Sequence, residues 1–157
     1  MYIIKPNSIK RSYTQSINSS PEKVFPLFCP VREKEWVHGW DPELIISNSG
    51  FAEKDSIFVT KHGDEKNYWI ITRHDPANYD LEMMIINPEI TVGKLEIKLH
   101  KDEDKKTKAD ISYSYTSLSS EGDEFIKHFT KEKYIHFMKT WEEEINHYLL
   151  TGKKISK

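Results

Sequence analysis

The sequence predicts an α+β fold in which an antiparallel sheet is covered by a long C-terminal helix. Two observations carry this expectation. From Leu44 onward the apolar residues recur with a period of two through six runs: LIIS, SIFVTKH, NYWIITRHD, YDLEMMII, TVGKLEIKLHKD and KADISYSYTSL. That is the strand period. Over residues 119–152 the period becomes helical. At about 100° per residue, Tyr134, Phe137, Met138, Trp141, Ile145 and Tyr148 fall on one stripe. A two-faced helix of this length cannot bury its stripe alone, and the dry face of a sheet is its natural cover.

Residues 9–18 alternate weakly, with Ile9, Tyr13 and Ile17 on one side, and read as the first of seven strands. Ser19-Ser20-Pro21-Glu22 then reads as a helix start, with a hydroxyl cap and a proline at the first helical position. Val24, Phe25, Leu27 and Phe28 give that helix an apolar side, and Pro26 keeps it kinked or brief. Pro30 ends it. VREKEW can form a second short helix before Gly39. The six later strands are separated by turn residues at Asn48-Ser49-Gly50, Gly63-Asp64, Asp75-Pro76-Ala77-Asn78, Asn87-Pro88 and the DEDKKTK tract. Connections this short favour antiparallel neighbours. Leu95, Ile97 and Leu99 oppose Lys94, Glu96 and Lys98; Ile111, Tyr113 and Tyr115 oppose Asp110, Ser112 and Ser114. One face is therefore wet and the other dry.

The closing helix can be capped by Ser119 or Ser120, carries Glu121, Asp123 and Glu124 in its first turn, and can stop at Gly152. Phe125 and Phe129 sit roughly half a turn from the main stripe, which predicts a bend near Thr130 or a second contact there. Residues 1–8 and 153–157 read as loose ends. The core is expected over about 9–152, within one domain spanning 1–157.

Composition excludes several function classes. Hydrophobic residues make up 37% and charged residues 31%, which is not a disordered composition. The net charge is −2 with both signs interleaved, so no clustered basic face for nucleic acid is expected. There is no signal-peptide pattern and no apolar run near ~18 residues, so neither export nor a membrane span is expected. Cys29 is the only cysteine, which forbids an intrachain disulfide and fits a reducing cytoplasm.

Several segments resemble a known superfamily. SINSSPEKVFPLF is similar to the opening of the START-like proteins, where a strand runs into a Ser-Pro-Glu-capped helix containing Val and an aromatic. CPVREKEWVHGWDPELI, YWIITRHDP and NHYLLTG resemble an uncharacterised bacterial branch of it. The superfamily takes in Bet v 1 allergens, polyketide cyclases and related lipid-binding (SRPBCC) proteins. The resemblance covers nearly the whole chain. It implies a helix-grip fold: a curved seven-stranded antiparallel sheet wrapped on the C-terminal helix, with two short helices between strands 1 and 2. It implies a shared cavity, not a shared catalytic motif.

Candidate chemistry is sparse. Seven histidines invite a metal, but Glu144-Ile145-Asn146-His147 is only half of a di-iron motif, and no His-Glu-x-x-His or cysteine set exists. Cys29 among apolar residues reads as a buried inert thiol. No nucleophile-elbow or phosphate-loop motif is present. No catalytic residue, metal ligand or cofactor is therefore assigned. Trp36 and Trp40 flank a turn and either border a cavity mouth or plug the end of the sheet. His38 between them reads as a solvent-facing loop residue. Tyr68 and Trp69 must point to opposite faces; strict alternation puts Arg73 with Trp69 and His74 with Tyr68. An inward Arg73 could grip a ligand carboxylate, against the plainer reading of a solvated or ion-paired arginine. Glu142, Glu143 and Glu144 read as a solvated helix face.

The expected function is binding of a small hydrophobic or amphipathic molecule between sheet and helix. The expected lining is Tyr13, Trp36, Trp40, Trp69, Met83, Tyr113, Tyr134, Phe137, Met138 and Trp141. The alternative is a cyclase-, dehydratase- or aromatase-type enzyme in the same cavity, with Tyr113, Tyr134 and His74 as proton-moving candidates. A third reading is a protein-interaction domain. Phe125 and Phe129 could then form a small patch or a homodimer contact.

Overall fold

The computed structural model describes all 157 residues. The chain runs β1 (Ser8–Ile17), α1 (Pro21–Val24), then β2 (Leu44–Ile46), β3 (Ile57–His62), β4 (Glu65–Asp75), β5 (Asp80–Asn87), β6 (Thr91–Lys101) and β7 (Thr107–Ser117). It closes with α2 (Ser120–His128) and α3 (Lys131–Thr151). As Pro26 dictates, α1 tightens into a 3-10 turn over Phe25–Leu27. A second 3-10 turn, Arg32–Glu35, follows. Ser20 precedes α1 but its hydroxyl makes no capping bond.

The strands form one antiparallel sheet in the order β1-β7-β6-β5-β4-β3-β2. Its dry face carries rows set by register, such as Met83, Leu95 and Tyr113, or Phe58, Trp69 and Ile85. With the helix laid across that face, the architecture is a helix grip. No helix is long and apolar enough to cross a membrane.

Strand β4 departs from strict alternation. Trp69 pairs with Ile85 and Ile71 with Met83, but Arg73 then pairs with Glu82 and His74 with Leu81. The extra residue, Thr72, makes a β-bulge that switches the face of everything after it. Arg73 is therefore outside, ion-paired with Asp80 at 3.1 Å and Glu82 at 3.3 Å. His74 is turned inward and stacks on Phe25 at 5.6 Å. Both are the reverse of the sides that simple counting gives.

The closing helix is two helices. Ser119 Oγ accepts from the Gly122 N–H and Thr130 Oγ1 accepts from the Lys133 N–H, each at 3.3 Å. Each helix thus has its own cap, with the break at Phe129 and Thr130. The break lets Phe125 and Phe129 both pack on Tyr115, at 4.8 and 5.1 Å, while α3 aims its own stripe at the sheet. Gly122 is pressed against the β5–β6 turn: a Cβ there would collide with the Ile90 carbonyl oxygen. Gly152 takes the left-handed stop (φ 69°).

β1 is an edge strand, and α3 covers the free backbone at its C-terminal end. Glu142 accepts from the Ser16 N–H at 2.6 Å. Asn146 accepts from the Asn18 N–H at 2.8 Å and donates to the Ser16 carbonyl at 3.0 Å. Gln15 Nε2 donates to the Met138 carbonyl at 2.9 Å. The acidic side of α3 is thus not simply solvated: Glu142 holds β1, and Glu144 is buried and met by Lys157 Nζ at 2.7 Å. Residues 1–6 stand exposed, as expected of a loose end, but Asn7 and the C-terminal Lys157 are tied. Lys157 closes on Glu144, and Asn7 donates to Asp123 at 2.8 Å.

Candidate functional site

A cavity of about 310 Å³ opens between the dry face of the sheet and α3. Its floor is one layer of inward residues: Phe58 from β3, Trp69 from β4, Met83 from β5, Leu95 from β6, and Tyr113 and Tyr115 from β7. Phe137 and Trp141 of α3 form the roof. The third wall is the segment that starts in the Arg32–Glu35 turn: Glu33, Val37, His38, Gly39 and Trp40. The space survives because its large rings are braced against protein. Trp40 Nε1 donates to the Pro30 carbonyl at 2.7 Å and Trp69 Nε1 to Thr60 Oγ1 at 2.9 Å. Trp69 stacks on Phe58 with ring centres 5.3 Å apart. Gly93 lies opposite Tyr115 in the β6–β7 register, and a Cβ there would come within 2.6 Å of the Tyr115 ring. The missing side chain is what lets that ring lie over β6.

Glu33 is the distinctive polar group. It is 4% exposed, and its carboxyl makes no hydrogen bond or ion pair. Burial alone pushes its pKa up to about 8. The single buried side-chain polar atom that is both unpaired and sealed from open space is Gln15 Oε1. The unpaired Glu33 carboxyl therefore opens onto the cavity. The Tyr113 hydroxyl, also unpaired, is raised well above its usual range by burial, with smaller contributions from Tyr115, Glu33 and Tyr134. Tyr115 is raised by burial. The site is thus an apolar, ring-lined space with an acid held neutral near pH 7 and two phenols that cannot ionise there.

Six of the ten residues expected at the cavity line it: Trp40, Trp69, Met83, Tyr113, Phe137 and Trp141. Phe137 is 41% exposed, a rim residue and not the core residue its stripe suggests. Four lie elsewhere. Trp36 is fully buried; it donates to the Leu27 carbonyl at 2.9 Å and packs edge-on against Phe28 and Trp141, so it plugs the end of the sheet. Tyr134 spends its hydroxyl on the Ile111 carbonyl at 2.5 Å. Met138 is sealed in the core. Tyr13 sits at the β1 margin, where burial and the nearby Glu142 raise its pKa. Of the proton-moving candidates, only Tyr113 reaches the cavity. His74 lines a separate depression with Phe25, Cys29 and Arg32, and its pKa is lowered by burial. Glu33, Val37, His38, Gly39, Phe58, Leu95 and Tyr115 were not expected there. The alternation of β6 and β7 marked Leu95 and Tyr115 as inward, but nothing local in VREKEW distinguishes Glu33 from Glu35. Cys29 is buried, and its Sγ accepts from the Ala52 N–H at 3.1 Å. A broader depression on the wet face is lined by ion-paired groups such as Lys10, Arg73 and Glu96, which already have partners.

No protein-family model matches the chain, and no curated protein matches it. Solved structures do. Norcoclaurine synthase from Thalictrum flavum, in complex with dopamine and hydroxybenzaldehyde, superposes with a TM-score of 0.67 at 12% identity, covering 97% of this chain and 91% of that one. A Staphylococcus aureus protein of unknown function gives 0.69 at 13%, covering 94% and 97%. Ara h 8.0201, a Bet v 1 allergen, gives 0.56 at 16%, covering 88% and 98%. The fold is Bet v 1-like. At these identities the likeness carries the fold alone. Within the Bet v 1-like frame, the chemistry of the space between sheet and helix has to be read from this chain's own residues, above all Glu33.

Proposed function

We propose that this protein binds a small hydrophobic or amphipathic molecule in the cavity between the sheet and α3. The observation that carries the reading is the cavity itself: about 310 Å³, walled by rings, with a few convergent polar groups left unpaired. Binding sites have this composition, and the volume lies at the lower end of their usual ~300–1,000 Å³. A one- or two-ring compound suits that volume. The synthase neighbour, whose structure holds two small aromatic compounds, is consistent with this size class. Trp40, Trp69 and Trp141 report on the site directly. Thermal melting and indole emission, read across a panel of one- and two-ring aromatics, flavonoids and fatty acids, test it. A ligand at a hundred times its Kd should add about 2.7 kcal/mol of stability and shift the emission. A panel that moves neither signal sinks the reading.

A second reading rests on Glu33 and Tyr113. An acid with a pKa of about 8 beside an un-ionised phenol has the properties of a general acid–base site working near neutral pH. It predicts that the protein catalyses exchange of the α-protons of a bound small aryl ketone with deuterated water. Glu33→Gln should abolish the exchange while the ketone still binds. Exchange no faster than in buffer removes this reading and leaves the first in place.

A further inference from the structure

The charge of the cavity wall narrows the ligand class. Among its thirteen lining residues there is no lysine or arginine. Glu33 is the one carboxyl. The other titratable groups facing the space are the Tyr113 and Tyr115 phenols from β7 and His38, which stands exposed at the rim. β3, β4, β5 and β6 contribute Phe58, Trp69, Met83 and Leu95, and α3 contributes Phe137 and Trp141, none of which titrates. A ligand carboxylate would find no fixed positive charge here and one potential negative one. A fatty acid is therefore the wrong occupant. Indole rings, by contrast, attract cations through the negative potential of their faces, most strongly where water is excluded. The N–H groups of Trp40 and Trp69 are already spent on Pro30 and Thr60, so what those two rings still offer a ligand is carbon surface.

Resting on the binding reading above, we propose that the occupant is a small organic ammonium ion, held among the indoles of Trp40, Trp69 and Trp141 and neutralised by the Glu33 carboxylate. A buried carboxyl without a partner is costly to ionise, whereas the same carboxyl beside a bound cation is stabilised in its charged form. Binding therefore exchanges one charge for another. The cation enters, the Glu33 O–H bond breaks, and the proton leaves to solvent. No net charge is buried. The sign of the pH dependence follows. Below about pH 8 the free site must give up a proton, so affinity rises about tenfold per pH unit; above that it levels off.

Benzyltrimethylammonium is the probe, because its charge is fixed at every pH and only the protein titrates. 3-Phenylpropanol and 3-phenylpropanoate supply the neutral and anionic counterparts. Calorimetry at pH 7 in buffers of different ionisation enthalpy should show close to one proton released per cation bound and none with the alcohol. The cation should bind at least tenfold more tightly at pH 8 than at pH 6.5, and the propanoate should be the weakest of the three. Glu33→Gln should lose the proton release and the pH dependence while still binding the alcohol. If the alcohol binds as tightly as the cation, or cation binding releases no proton, the ammonium assignment is wrong and the binding reading survives. If none of the three gives heat or shifts indole emission, both fall.

Discussion

At the scale of single residues, Glu33 is the position where the chain accepts a cost. Its carboxyl is raised to about pH 8 in the folded protein but ionises near 4.5 when unfolded. Between those values the folded state holds a proton that the unfolded state has released, so stability falls as pH rises through that window. The slope approaches about 1.4 kcal/mol per pH unit. Glu33→Gln should therefore match the parent near pH 4.5 and become progressively more stable than it up to about pH 8. Urea melts at pH 4.5, 6 and 8 check this, and parallel curves for the two proteins would show that the carboxyl is solvated after all. A group kept at such a cost is more often there for function than for folding. Local sequence could not reveal it. Glu33 and Glu35 sit in the same charged run, yet one is buried among rings and the other pairs with Arg32 at 3.1 Å and with Tyr148. Arg73 and His74 were misplaced for a different reason: alternation is counted along the strand, and an extra residue at Thr72 is invisible to the count until the partner strand is seen.

At the scale of elements, strand periods were legible because each strand has one wet and one dry face. The six runs from Leu44 onward reappear as β2 to β7. The bend near Thr130 was legible too, since Phe125 and Phe129 could not share a straight helix face with Trp141. What could not be read was that α3 has a third duty. Glu142 and Asn146 look like solvated helix residues, but they satisfy the open backbone at Ser16 and Asn18, where β1 ends. An unprotected edge strand invites pairing with another chain, and covering it with a helix is a common remedy. Asn146→Ala removes two hydrogen bonds to that backbone and should cost about 1–2 kcal/mol. The urea midpoint should drop without a change in m. An unchanged midpoint would mean that water replaces Asn146 without loss.

At the scale of the whole molecule, the cavity belongs to no single element. Its floor comes from five strands, its side from the segment after the first helical turns, and its roof from α3. This explains why six lining residues were legible and others were not. Rings on a dry face can be counted, but whether a given ring ends in the hollow or in the packing beside it depends on the opposing element. Trp36 and Trp40, four residues apart, fall on either side of that divide. The roof has one more consequence. Phe137 and Trp141 are the last of these walls to leave the ribosome, after every strand has emerged. Until then the greasy side of the sheet is a bare shelf with nothing to enclose. A small molecule in this cavity would be fully enclosed only once α3 has docked on the sheet.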